Sequence, residues 1–255
     1  MVASGLPGGR GLDLGCGDGL LTRIILQLVG KRDLVGIDPD PAELAHAQRT
    51  GIYSALHAAG GDRVPEPDAS FDWVLSNSVL EHIDHLEPVL AEVGRLLRPS
   101  GEFKFTVPGP DFHACLRGPL LPGASRDAYL RQLDNRLAHR RYWDLMDWRS
   151  ALTLNGMRVV SAVSYLDAVQ VRRWESMARV TAGVLYTLGG RRQQPIEIQR
   201  RLGLRKPGRR MPMPLARSLA SLVGLGLNNA PAEPATKFGC YLITAVKNPA
   251  ELSGQ

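Results

Sequence analysis

Cysteine is scarce and scattered. Cys16, Cys115 and Cys240 are the three in 255 residues, with no CxxC pair. That excludes a zinc ribbon and a disulfide framework, and it fits a reducing cytoplasm. Long apolar runs are missing too: Ser218 to Leu227, the longest near the C-terminus, falls far short of the ~20 residues that span a bilayer. The first residues, Met1 to Gly5, lack the charged-then-apolar profile of a secretion signal. A soluble, cytoplasmic protein is expected on these grounds. No repeat or low-complexity tract occurs. With 44% hydrophobic and 22% charged residues, composition is ordinary for a globular chain and excludes wholesale disorder.

The net charge of +6 is concentrated in one place. Between Arg191 and Arg217 stand nine arginines and lysines against one acid, Glu197, so the rest of the chain is slightly acidic. A uniformly basic nucleic-acid binder would be patterned differently. Beyond the patch, Leu215, Leu219, Leu222, Val223 and Gly226 recur at helical spacing. The segment 191–227 admits two readings: a solvated loop with an ordinary packed helix, or a surface that docks an anionic membrane or acceptor.

Strand and helix signals alternate along the first half, as in a parallel sheet covered on both faces. Strands are expected at Gly11–Leu14, Leu34–Ile37, Tyr53–Ala58, Trp73–Ser76 and Glu102–Val107. Helices are expected from Leu20, with Leu21, Ile24, Ile25 and Leu28 in phase, from Pro41 to Arg49, and around Val89–Leu97. After Pro108 the rhythm breaks. A Gly/Pro-rich loop precedes helices at Arg126–Arg141 and Trp143–Leu154, then strands at Met157–Leu166 and Phe238–Val246. The reading is an α/β, Rossmann-like doubly wound sheet of about seven strands, mostly parallel with an antiparallel last strand. Its core would comprise 1–107, 142–167 and 238–255, with a substrate lid at 108–141 and a basic, helical insertion at 168–237. Because the first strand begins near residue 10, cover for the site is expected from the lid.

The informative stretch is Asp13-Leu14-Gly15-Cys16-Gly17-Asp18-Gly19, between a strand and a helix. Glycines there let the backbone turn sharply and let a ligand approach a helix N-terminus. The dinucleotide fingerprint G-x-G-x-x-G counted from Gly15 would need a glycine at Leu20, and no Gly-Lys-Ser/Thr of a P-loop follows. An acid leading the loop would repel a pyrophosphate but suits a ligand carrying an ammonium and a sulfonium.

Together with four further motifs, this loop resembles the class I S-adenosylmethionine-dependent methyltransferases. The others are Gly36-Ile37-Asp38-Pro39-Asp40, Asp62 to Pro65 with Ser70-Phe71-Asp72, Ser76 to Ile83, and Leu97-Arg98-Pro99-Ser100-Gly101. The likeness is strong over about 10–107 and weak over 142–167 and 238–247. It implies S-adenosylmethionine as cofactor and methyl transfer to oxygen, nitrogen or carbon of a small or lipid-linked acceptor. The Ser76–Ile83 motif and the late insertion look most like bacterial enzymes acting on saccharides, quinones or secondary metabolites. A binding protein that no longer methylates is the alternative. An RNA methyltransferase would rest only on the basic insertion, and no RNA-binding module is present to make nucleic acid an expected partner.

The resemblance assigns cofactor contacts to Asp13, Gly15, Cys16, Gly17, Asp38, Pro39, Asp62 and Asn77. Asp38 would accept from the ribose hydroxyls, and it also suits the N-cap of the helix opened by Pro41. Asp13 would hold the cofactor's amino-acid end, directly or through water. Cys16 reads as a small packing residue. Relatives often carry an acid or amide where ungapped alignment puts Gly60, so either Asp62 reads the adenine or backbone does. Asp72 reads as structural. The sequence around Asn77 is not the Asn/Asp-Pro-Pro-aromatic run of enzymes that methylate nucleobase amines. His82 is either a general base for a hydroxyl acceptor or a hydrogen-bonded histidine fixing its loop. His113 and Tyr142 are candidate substrate contacts, as is His139. Some relatives use Glu-x-x-Glu-His to hold a metal, but Ser78 stands at the first of those positions, so no metal is expected here.

Overall fold

The computed structural model describes residues 5–120, 122–179 and 236–249. The basic stretch 191–227 and most of the insertion expected at 168–237 lie outside the described residues. Within them, no helix is long and apolar enough to cross a membrane.

Seven strands make one sheet: β1 (Arg10–Leu14), β2 (Asp33–Asp38), β3 (Ala55–Ala58), β4 (Phe71–Asn77), β5 (Leu97–Pro108), β6 (Met157–Asp167) and β7 (Phe238–Lys247), in the order β3-β2-β1-β4-β5-β7-β6. The first five pair in parallel with one another, and β7 runs antiparallel to β5 with Phe105 opposite Ile243. The strand order reverses between β1 and β4. In open sheets that is where loops diverge and leave a crevice at the strands' carboxyl ends.

Strand alternation sorts the side chains. On one face Leu12, Leu14, Val35, Ile37, Val74, Phe103 and Phe105 pack with Val89, Leu90 and Val93 of α3 (Leu86–Leu96) and with Trp148 of α6 (Leu145–Leu154). On the other, Leu34, Trp73 and Leu75 meet Ile25 and Leu26 of α1 (Leu20–Val29). Here the expected helix face is corrected. Leu20, Leu21 and Ile24 are each about half exposed and Leu28 is 74% exposed, while Thr22 is buried. The Thr22 side chain bonds the Asp13 carboxylate, and that polar anchor turns the helix about its axis.

α2 (Pro41–Gln48) starts with proline at its first position, where no N–H is missed. Its cap is Asp40, which accepts from Ala42 N at 2.8 Å, and not Asp38. α6 carries a reciprocal cap in which Asp144 accepts from the amides of Met146 and Asp147, while Asp147 accepts from that of Asp144.

The described residues fall into two compact units, one of 5–110, 139–165 and 240–249, the other of 111–138, 166–179 and 236–239. The second holds α4 (Phe112–Cys115), α5 (Arg126–Leu137) and α7 (Ala168–Ala178). Phe112 meets Trp174 edge-on at 5.7 Å. The Glu175 carboxylate accepts from the amides of Arg117 and Gly118, from the Tyr129 hydroxyl and from the Arg179 guanidinium. The helix expected at Arg126–Arg141 stops early. Ala138 takes a left-handed conformation (φ 57°), and its amide closes on Asp134 O, so His139 to Arg141 leave the helix.

Candidate active site

The loop after β1 is tied to β2 by two backbone bonds, Gly15 N and Cys16 N each reaching Ile37 O at 2.9 Å. Gly15 has φ +75° and lies so close to Val79 that a Cβ would fall 2.6 Å from it. Gly19, at φ +71°, is likewise pressed against Tyr53. Only glycine meets both demands, a left-handed backbone and no side chain.

Asp38 closes β2 and lies against that loop. Its Oδ2 accepts from Gly17 N at 3.0 Å and its Oδ1 from Asp40 N at 2.9 Å. Burial raises its pKa, those amides oppose the shift, and neighbouring Glu43 and Asp40 add to it. Each oxygen keeps a lone pair for a further donor.

A cavity of about 580 Å³ opens at the carboxyl ends of β1 to β4, its walls including Gly15, Asp38, Pro39, Asp62, Val79 and His82. Gly60 and Gly61 line it beside Asp62, so both readings of that position stay open. Gly15, Asp38, Pro39, Asp62 and His82 are thus brought together.

Asp13 is placed differently. It lies between Leu12 and Leu14 in β1 and so points to the α1 face, where it is 3% exposed and does not line the cavity. The Tyr53 hydroxyl donates to its Oδ2 at 2.7 Å. Burial pushes its pKa up to about 6, against the bonds from Tyr53 and Thr22 and with a small addition from the charge of Asp38. Cys16 is half-buried, and burial beside Asp13 and Asp38 raises its thiol pKa, so it is no thiolate nucleophile. Asn77 is turned toward β5, its Oδ1 accepting from the Thr106 hydroxyl at 2.9 Å. Asp72 accepts from Arg10 N and from Arg98 and stands apart from the cavity.

Past β4, one 3-10 turn, Leu80–His82, presents Glu81 and His82. Glu81 is 2% exposed, and burial pushes its pKa up to about 7 against its own amide and the charge of Arg141. The His82 ring lies 5.3 Å from that of His139, and His139 Nδ1 is hydrogen-bonded to the Tyr142 hydroxyl at 2.9 Å. His113 sits in the second unit, bonded to Asp134 at 2.9 Å. The grouping of Glu81 with His139 escaped the sequence reading. The histidine at 139 lay inside a stretch read as helix, and nothing local marks its partner.

Residues 12–105 match a family model described as a methyltransferase domain. The chain is 36% identical over 106 residues to a ubiquinone biosynthesis O-methyltransferase of Nitrosococcus oceani, covering 40% of this chain and 44% of that protein. It is 34% identical over 117 residues to a malonyl-[acyl-carrier protein] O-methyltransferase of Halorhodospira halophila, covering 43% and 38%. The chain therefore spans well under half the length of these curated relatives. Among solved structures it resembles an S-adenosylmethionine-dependent methyltransferase of Mesorhizobium loti, with TM-score 0.55 and 20% identity over 96% of this chain and 95% of that one. Residues 12–105 thus carry a methyltransferase domain, and the fold is that of S-adenosylmethionine-dependent methyltransferases.

The residues present fit that cofactor. Asp13 and Asp38 are both charged groups without an ion-pair partner among the described residues. Two such carboxylates beside a glycine loop favour a cationic ligand rich in hydroxyl donors.

Proposed function

We propose that this chain transfers the methyl group of S-adenosylmethionine to an oxygen of a small-molecule acceptor. The observation that carries the reading is one cavity shared by Asp38, the glycine loop and His82. Asp38 would hold the ribose hydroxyls, the amides after β1 the amino-acid end, and Pro39 with the 59–62 segment the adenine. The field of buried Asp13 favours the cationic form without direct contact. When bound, the cofactor supplies an electrophilic methyl on a sulfonium.

The chain's own part is placement and proton handling. Methyl transfer depends chiefly on in-line alignment, which the strand-end loops supply by holding both partners in one crevice. His82, with its side chain 38% exposed, lines the cavity and can take the acceptor hydroxyl's proton. The names of the two curated relatives, both O-methyltransferases, favour oxygen over nitrogen or carbon. The basic segment 191–227 is proposed to dock an anionic membrane or acceptor, on its charge alone.

The test is incubation with the cofactor and two acceptor sets, phenolic hydroxyls and carrier-linked carboxylates, read by mass spectrometry as one added methyl. Product with either set supports the reading and names the class. Tight binding of the cofactor with no product from any oxygen acceptor would overturn it in favour of a binding protein.

A further inference from the structure

Arg23 Nε is buried and has no hydrogen-bond partner. Its guanidinium also forms no ion pair among the described residues. A charged donor taken from water and left without an acceptor is costly. Arg23 lines a second cavity, of about 520 Å³, bounded by α1, by residues 30–32 before β2 and by residues 51–54 before β3. This cavity therefore lies at the amino ends of those strands. It shares no lining residue with the cavity at the carboxyl ends.

Its charge is of one sign. Lys31 and Arg32 line it with Arg23, and no acid does. Lys31 and Arg32 follow the carboxyl end of α1 and offset the partial negative charge there. Arg32 also spends Nε on Pro7 O at 3.1 Å and Nη1 on Lys31 O at 3.0 Å. Arg23, in the first half of α1, has neither task. Two acids are bonded to the walls, Asp13 to the Tyr53 hydroxyl and Asp33 to that of Ser54, but neither lines the cavity. Leu26, Ile52 and Tyr53 supply apolar surface beside the cations.

We propose that this cavity binds a phosphate monoester with a small apolar body, and that its occupation changes cofactor affinity through Tyr53. A guanidinium fork suits phosphate oxygens, and a dianion answers more of the lining charge than a carboxylate does. The volume falls within the roughly 300–1,000 Å³ of small-molecule pockets, which favours a metabolite over a macromolecular surface. Tyr53 belongs to both ends of the sheet. It lines this cavity, its hydroxyl holds Asp13, and its ring lies where a Cβ on Gly19 of the glycine loop would fall 2.8 Å away. A ligand that shifts this ring shifts the loop, and the coupling is reciprocal. That coupling rests on the cofactor cavity described above, whereas the anion site does not.

The experiment titrates the full chain with phenyl phosphate by calorimetry, with benzoate and inorganic phosphate as comparison probes. One equivalent of phenyl phosphate is expected, with both comparison probes binding roughly tenfold more weakly or worse. Arg23→Gln should weaken phenyl phosphate binding roughly tenfold or more while holding the unfolding midpoint within a few degrees. Should that variant unfold early, Lys31→Gln, at an exposed position, takes its place with a loss of roughly threefold or more. No phenyl phosphate bound by the parent chain, or equal affinity in the variant, overturns the site. Saturating phenyl phosphate is then expected to move S-adenosylhomocysteine affinity by roughly threefold or more in the parent and not in Arg23→Gln. Unmoved affinity overturns the coupling and leaves the anion site standing. Phenyl phosphate binding in a chain that binds no S-adenosylhomocysteine refutes the methyl-transfer reading alone.

Discussion

Asp13 in the sheet and Glu175 in the second unit are buried to nearly the same degree, 3% and 1% exposed, yet their proton affinities move in opposite directions. For Glu175, burial alone would raise the pKa, but the Tyr129 hydroxyl, the Arg117 amide and the Arg179 guanidinium overcome it and hold the group below the ordinary carboxylate range. For Asp13, the hydroxyls of Tyr53 and Thr22 do not offset burial, and the pKa reaches about 6. The difference is a cation. A carboxylate held by a guanidinium and amides is internally satisfied and structural. One held by hydroxyls alone keeps a negative field that a cationic ligand can use.

The largest expected effect falls on the satisfied acid. Glu175→Ala strips a buried ion pair of one partner, leaving Arg179 without its counter-charge and two amides without their acceptor. It should destabilise the chain by about 3–5 kcal/mol in urea unfolding. A loss under 1 kcal/mol would show that the network contributes little and would erase the contrast.

Cofactor binding should depend instead on the strand-end acid. Asp38→Ala is expected to weaken S-adenosylhomocysteine binding roughly 10- to 100-fold, or about 1.5–3 kcal/mol, without changing the unfolding midpoint by more than a few degrees. Calorimetry on both proteins measures it. Unchanged affinity would remove Asp38 from the site.

The contrast between the acids also predicts opposite pH trends. Because the folded pKa of Asp13 lies above its unfolded value of 3.8, the native state binds the extra proton. Its contribution is therefore fully present below about pH 4 and is lost as pH rises through about 6. Glu175 has the reverse sign, contributing above its unfolded pKa and failing as acid protonates it. Asp13→Asn should thus stabilise the chain at pH 8 by about 1–2 kcal/mol and flatten the slope between pH 4 and 6. Unfolding midpoints across that range decide it, and a destabilised Asn variant at pH 8 would count against the raised pKa.

Smallest is the effect of removing one hydroxyl donor from each acid. Tyr129→Phe leaves Glu175 with its cation and amides and should cost about 0.5–1 kcal/mol. Tyr53→Phe leaves Asp13 with Thr22 and should cost about 1–2 kcal/mol at pH 8 and less at pH 5, where the acid is protonated. Equal costs at both pH values would mean that Asp13 ionises normally.

Much of this site was legible along the chain because its signals are local. The glycines at 15, 17 and 19 mark a turn by their own conformational freedom, and Pro41 marks a helix start by its fixed φ. Other assignments failed for equally physical reasons. Asp38 reads as the cap of the helix opened by Pro41 until the Gly17 amide claims its carboxylate and Asp40 takes the cap. The apolar spacing of Leu20, Ile24 and Leu28 pointed inward until the bond between Thr22 and Asp13 turned α1 the other way.

By itself, then, the sequence determined the alternating strands, the acid-led glycine loop and the strand-end carboxylate, since each depends on neighbours within a few residues. Tertiary structure alone decided that Asp13 faces away from the cavity and that α5 ends at Leu137. It alone brought His139 beside Glu81 and His82. The bonds responsible, from Arg140 to Glu81 and from Arg141 to Leu80 and Asp84, join segments some 57 to 61 residues apart. Pairings at that distance leave no periodicity, spacing or composition in the chain, because they form only once the sheet has brought its strand ends together.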